Sequence, residues 1–338
     1  MIEVKIPQNL SLRNALNFCN RLWGLDHSDE YTFNFASLGR VEPFTMAYVA
    51  NEIKRFRASK PESKFSALNH KDKSYPAHMG FFKAFGLQFG NEPGEAAGSS
   101  TYLPLTILNV AELQEEANDS YEQVGNVIEA KSEIIAKMLT RQESGDLVDT
   151  LTFSIREILR NVVEHSGSEI IEYCAQYWPT KNLVEFAVLD TGNGIMAGLS
   201  SNPYLKINDE RDALHFAMLP GVSGKMYKGV KKRMNDEWQN SGFGLYMTSR
   251  ICRNGGSFFI VSNDKSFLLD KSTKQDMECK YKGTALRLRI DTSRISKYSK
   301  MLAEYRNEGY ETAKRFAGKD AIEPSVASTM LARDFQET

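Results

Sequence analysis

The sequence predicts a mixed α/β (α+β) protein in two parts, and three observations carry that expectation. Residues 1–90 alternate short strand-like and helix-like segments, the pattern of a sheet with helices packed on it. Residues 90–101 concentrate Gly, Ser and Pro (Gly90, Pro93, Gly94, Gly98, Ser99, Ser100) between the two parts, as a linker does. From residue 147 a strongly amphipathic helical segment is followed by an apolar, β-favouring run that ends on an aspartate.

In the first part, Glu3–Ile6 reads as a strand, and Ser11–Trp23 has helical spacing in Leu12, Leu16 and Leu22. Tyr31–Phe35 alternates aromatic and polar residues like a half-buried strand. Phe44–Arg57 is a helix opened by Pro43, with Met46, Val49, Ala50, Ile53 and Phe56 on one side. Lys64–Leu68 is a further strand, and Tyr75–Phe85 carries Met79, Phe81, Phe82 and Phe85. The connecting segment 91–111 ends in an extended stretch, Tyr102–Val110, interrupted by Pro104.

Residues 112–146 form a helical connector. Within Glu112–Thr140, Val124, Val127, Ile128, Ile134, Ile135, Met138 and Leu139 recur at three- and four-residue spacing. That spacing suits either a helix packed on its own domain or one of a dimer-forming pair, and is too short for a long coiled coil.

Three short motifs follow in the part spanning 147–292. On the helix Leu147–Ser166, Leu151, Ile155, Ile158, Leu159 and Val162 share one face, with Glu157, Asn161, Glu164 and His165 beside it. Glu157 and Asn161 are four apart, one turn displaced on a similar heading. An amide oxygen is a neutral, hard ligand for Mg²⁺, and a carboxylate one turn earlier can deprotonate an attacking water. His165 reads either as a phosphate contact or as a helix-end histidine meeting carbonyls.

Leu183–Leu189 is a buried strand ending at Asp190, after which Gly192 and Gly194 let the backbone turn and approach a flat ligand. Leu199–Ser241 is a long insertion. It holds a helical stretch, Asp209–Leu219, and a basic one with Lys225, Lys228, Lys231, Lys232 and Arg233. Gly242-Phe243-Gly244-Leu245 then opens a helix, Leu245–Arg253, and amides at such a turn suit phosphate. The GKS or GKT run of a P-loop is absent. Lys282–Ile290 alternates as an edge or half-buried strand carrying Gly283-Thr284. Residues 293–338 are charged and helical, with Tyr298, Leu302 and Tyr305 on one face.

The set Glu157…Asn161, Asp190-Thr191-Gly192-Asn193-Gly194 and Gly242-Phe243-Gly244-Leu245 resembles the GHKL ATPases, the Bergerat fold, over roughly 147–290. The resemblance implies a two-layer α/β sandwich that binds ATP with Mg²⁺. It gives Asn161 the metal role and Glu157 the base role. Asp190 would read the adenine amine with Thr284 nearby, and Gly192, Gly194, Gly242, Phe243, Gly244 and Leu245 would shape the nucleotide loops. The 199–241 insertion would be the lid, with Lys225 the first choice for the γ-phosphate. Guanine would be rejected, because its carbonyl would face Asp190 as a second acceptor.

The order of elements in residues 1–90, with Gly39-Arg40-Val41-Glu42-Pro43-Phe44-Thr45-Met46 and His78-Met79-Gly80-Phe81-Phe82, resembles STAS-like domains. That implies a module for binding a protein partner. Together the two resemblances imply a slow ATPase acting as a partner switch. The alternatives are a serine/threonine kinase of the anti-sigma type, with Ser37 or Thr45 as a conceivable target in cis, and an ATP-binding scaffold with little turnover. A homodimer is conceivable. A typical histidine kinase is disfavoured, since Glu112–Thr140 lacks a histidine.

Composition agrees with a globular chain. The 338 residues suit two domains, with 41% hydrophobic and 25% charged residues. A net charge of −1 gives no general pull toward nucleic acid or anionic membrane. Four scattered cysteines without a CxxC pair argue against a zinc site and fit a reducing cytoplasm. No apolar run approaches the roughly 20 residues of a membrane helix, and the first residues alternate like a strand rather than a signal peptide. The expected location is cytoplasmic.

Overall fold

The computed structural model of the chain describes residues 1–227, 230, 242–295 and 298–317. The chain opens with β1 (Ile2–Lys5), β2 (Asn9–Leu10), α1 (Leu12–Trp23), β3 (Glu30–Asn34), β4 (Arg40–Val41), α2 (Pro43–Ala58) and β5 (Lys64–Leu68). Two short helices follow, α3 (Ser74–His78) and α4 (Phe81–Ala84). β1, β3 and β5 form a three-stranded parallel sheet in that order, and β2 pairs with β4 in parallel.

The second half contributes β6 (Tyr102–Asn109), α5 (Val110–Asp119), α6 (Val124–Thr140) and α7 (Asp146–Asn161). A π-helical turn, Val162–Ser166, extends α7. Then come β7 (Ile170–Trp178), β8 (Leu183–Asp190), α8 (Gly194–Leu199), α9 (Glu210–Ala217) and α10 (Gly244–Arg253). The described chain finishes with β9 (Ser257–Ser262), β10 (Lys265–Leu269), β11 (Lys274–Glu278), β12 (Thr284–Asp291) and α11 (Tyr298–Ala317). β6 to β12 make one antiparallel sheet in the order β11-β10-β9-β12-β8-β7-β6.

The seven-stranded sheet is covered on both faces. One face carries Phe186, Val188, Phe258, Ile260, Leu286 and Leu288, which pack with apolar residues of α6, α7 and α10. The other carries Cys174, Ala187, Leu189, Phe259, Val261 and Ala285, which share a core with α1 and α2 of the N-terminal half. Phe44 of α2 meets Phe259 edge-on at 5.3 Å, and Tyr48 stacks on Tyr281 at 5.3 Å. α2 is therefore buried almost all round, as a helix between two layers must be. Its start is fixed by Pro43 in the first turn and by a capping box between Glu42 and Thr45.

Several segments depart from the pattern in the sequence. The helical stretch 112–140 is two helices, broken at Tyr121, whose φ of 55° ends α5. α6 then buries Val127, Ile128, Ile135 and Leu139 against its own chain, whereas Ile134 is 61% exposed. β12 is central, between β8 and β9, rather than an edge strand. Its polar alternates Arg287 and Arg289 find carboxylates within the fold instead of solvent. Pro104 lies in the edge strand β6, at a register shift between Leu103 and Thr106, where a missing N–H is tolerated. All four cysteines are free and buried. No helix among the described residues is long and apolar enough to cross a membrane.

Candidate functional site

α7 starts with Asp146 and Asp149 in its first turn, where negative charge complements the helix dipole. It buries Leu151, Ile155, Ile158 and Leu159. Asn161 is its last residue, and the backbone then widens into the π turn that closes at Gly167, φ 67°. Such turns often occur at functional sites. This one presents the Ser166 carbonyl to the loop after β8, where it accepts from the Asn193 N–H at 2.7 Å. A Cβ on Gly192 would lie 2.2 Å from that carbonyl oxygen. Glycine is thus what lets the end of α7 and the end of β8 meet. Gly192→Ala should lower stability by roughly 2–3 kcal/mol through overpacking of backbone on backbone. Urea denaturation checks this; an unchanged midpoint would show that the two segments can part freely.

Around this junction lies a cleft of about 760 Å³ of non-protein space, partly continuous with solvent. Asn161, Asp190, Gly194, Gly242, Gly244, Leu245 and Thr284 all line it. Its apolar walls come from Ile195, Leu199, Val222, Ile260 and Leu286.

Asp190 is 3% exposed at the end of β8, directly across from Thr284 of β12. Its Oδ1 accepts from the Gly192 N–H at 2.8 Å. Burial pushes its carboxyl up to about 6, against the Gly192 N–H and the Thr284 backbone and hydroxyl, which pull it down. The neighbouring loop is held by Glu210 at the start of α9. Its Oε2 accepts from Ser262 Oγ at 2.9 Å, and that hydroxyl accepts from the Ile195 N–H at 2.8 Å.

α10 points its first turn, Gly244 and Leu245, at the cleft. Gly242 has φ 74°, and a Cβ there would fall 2.3 Å from the Val222 carbonyl oxygen. Phe243 differs from its neighbours: its side chain is fully buried in the core beneath the loop, so only its backbone can serve the site. The basic residues Lys228, Lys231, Lys232 and Arg233 lie outside the described residues. Lys225 is exposed, and its Nζ donates to the Glu164 carbonyl at 2.7 Å, so it ties the insertion to the π turn rather than lining the cleft.

Glu157 does not line the cleft either. Its Oε1 accepts from Arg156 Nη2 at 2.9 Å and Nε at 3.2 Å, and Arg156 is fully buried. Its Oε2 lies against Gly244, where a Cβ would be 1.8 Å away. The carboxylate therefore sits one layer behind the first turn of α10.

His165 lines the cleft. Burial, with Lys225 and Arg160 nearby, drives its pKa down to about 4, so at neutral pH it offers an uncharged imidazole. Thr45 is fully buried, its hydroxyl donating to the Leu10 carbonyl at 2.6 Å. A kinase would reach that hydroxyl only after the start of α2 had opened.

The apolar walls were the part least marked in the sequence. Leu286 shares the Thr284 face of an alternating strand, a usable signal, but Ile260 stands in an uninterrupted apolar run that names no face. Among the described residues no group of three or more His, Cys, Asp or Glu side chains is placed to hold a metal. A cation at Asn161 would have to arrive with oxygens of its own, as Mg²⁺ does on a phosphate. The chain matches no protein-family model and no curated protein sequence.

Proposed function

We propose that this cleft binds ATP with Mg²⁺ and that the chain is a nucleotide-controlled switch with slow hydrolysis. The observation that carries the reading is convergence. Asn161, Asp190 and the Gly242–Leu245 turn, from three separate stretches of sequence, line one cleft with apolar walls. A flat purine suits those walls, and a buried strand-end carboxylate suits its exocyclic amine. The first turn of α10 offers backbone N–H groups to phosphate. Asn161 would hold Mg²⁺, which supplies charge neutralisation on the phosphates when bound.

The antiparallel sheet, with α7 and α10 on one face and the cleft between them, supports a Bergerat-fold, GHKL-type reading. The parallel β1-β3-β5 unit supports a STAS-like partner-binding role for residues 1–90. Glu157 is the carboxylate we assign to deprotonating water, but it is held by Arg156 behind Gly244. Turnover requires it to leave that pair, which argues for slow hydrolysis and for a bound state that a protein partner reads.

ATP and GTP binding with and without Mg²⁺ test this. ATP should bind, and GTP should bind roughly 5- to 150-fold more weakly, since two facing acceptors cost about 1–3 kcal/mol. Asn161→Ala should lose the Mg²⁺ dependence of ATP binding. Glu157→Ala should keep binding and lose phosphate release. Equal affinity for ATP and GTP would remove the adenine assignment to Asp190. γ-label that ends on a protein hydroxyl instead of free phosphate would turn the reading toward a kinase.

A further inference from the structure

A second pocket lies behind the same strand end. One wall is a single face of α2, where Asn51, Lys54, Arg55 and Ala58 follow at helical spacing. The other is the sheet, with Ile170 and Glu172 of β7, Leu189 and Asp190 of β8, and Thr191. Glu172 is the cross-strand partner of Leu189, and Ile171 of Asp190. Side chains alternate along a strand. Glu172 and Leu189 therefore face α2, whereas the Asp190 side chain, one position on, is on the cleft side of the sheet, and the residue borders both pockets. The two pockets share one strand end from opposite sides.

The polar groups of the second pocket are only half matched. Asn51 is 4% exposed and donates from Nδ2 to Glu172 Oε1 at 3.4 Å, but its buried Oδ1 has no hydrogen-bond partner. Burial pushes the Glu172 carboxyl above the usual carboxylate range, with Lys54 and the Asn51 amide pulling it back. Lys54 thus acts on Glu172 through space. No salt bridge within 4.0 Å joins them among the described residues. Arg55 is already neutralised by Glu52. What remains is one acceptor pair, Asn51 Oδ1 with Glu172, and one separate cation, Lys54. An ammonium fits the first and a carboxylate the second, whereas a phosphate would meet Glu172 unpaired.

We propose that this pocket is an effector site for a small zwitterion of the α-amino-acid class, coupled to the cleft through Asp190 and Thr191. The coupling rests on the nucleotide reading above; the binding does not. Calorimetric titration of the full chain with the common L-α-amino acids, each beside its N-acetyl and carboxamide derivatives, tests the binding. At least one free amino acid should bind saturably, and blocking either charged end should weaken it tenfold or more. Asn51→Leu and, at an exposed position that leaves the core alone, Lys54→Met should each weaken it tenfold or more. No saturable binding, equal binding of the blocked forms, or parental binding by Lys54→Met would overturn the site. The bound amino acid should shift ATP affinity about fivefold or more, the lower range of ordinary allosteric coupling. An unchanged ATP affinity would remove the coupling, whereas a parent chain that binds no nucleotide would sink the proposed function and leave the site standing.

Discussion

Asp190→Asn is expected to weaken ATP binding by about 10- to 100-fold while making the ligand-free protein more stable above pH 6. The binding loss follows from the charge. A hydrogen bond to an ionised group is worth about 1.5–3 kcal/mol, and an amide turned with its NH₂ toward the purine amine opposes two donors. The stability gain follows from burial. The Asp190 carboxyl titrates at about 6 in the folded chain, above its ordinary 3.8. A raised carboxylate favours folding in its protonated form. Its contribution is fully present below about pH 4 and is lost as pH rises through 6. Above that, ionisation disfavours the fold by about 3 kcal/mol, a cost the neutral amide does not carry. Urea midpoints of parent and variant should therefore agree near pH 4 and separate in favour of the variant at pH 8. ATP affinity of the parent should fall below pH 6, where Asp190 is protonated. A variant that binds ATP within twofold of the parent would show that Asp190 does not read the base. A variant no more stable at pH 8 would show that its carboxylate is not strained by burial.

Much of the frame was legible because period and punctuation agreed. Strand β5 spans Lys64–Leu68, as its pattern and flanks indicate, and Pro43 marks the start of α2. Asp209 caps α9, accepting from the Asp212 N–H at 2.8 Å. The lining residues Asn161, Asp190, Gly194, Gly242, Gly244, Leu245 and Thr284 were legible for a related reason. Polar or glycine residues at the ends of apolar elements are where a ligand can be met without breaking the core.

What stayed hidden were pairings across the fold. Nothing local says that Arg156 turns back on Glu157, or that Phe243, between two cleft glycines, points into the core. Residues 254–281 hold three strands of the sheet, yet their glycines and charges break the run into pieces too short to read. The docking of α2 on the sheet had one faint mark, Glu185 in the middle of the apolar strand β8. A carboxylate there must have a partner, and the sequence does not say which.

That partner is Arg287, and its removal should be among the most damaging single changes in the chain. Arg287 of β12 donates from Nε to Glu185 Oε2 at 3.0 Å and from Nη2 to Glu42 Oε2 at 2.7 Å. Glu185 is fully buried and Glu42 is 6% exposed. The remaining oxygen of Glu185 accepts from the Phe44 N–H at 3.1 Å, at the first turn of α2. One guanidinium thus joins the sheet to the capping residue of the helix on its back. Arg287→Ala leaves two buried carboxylates facing each other. Only Arg289, 3.5 Å from Glu185, and the half-exposed Arg40 remain to offset them. Breaking a buried pair in this way costs about 3–5 kcal/mol, whereas replacing both partners by apolar residues is often neutral. Urea denaturation of Arg287→Ala should show that loss, and Arg287→Met with Glu185→Leu should recover most of it. If the single variant stays within about 1 kcal/mol of the parent, the cluster is solvated in solution and does not hold α2 against the sheet. If the double variant is as unstable as the single one, the loss lies in packing rather than in stranded charge.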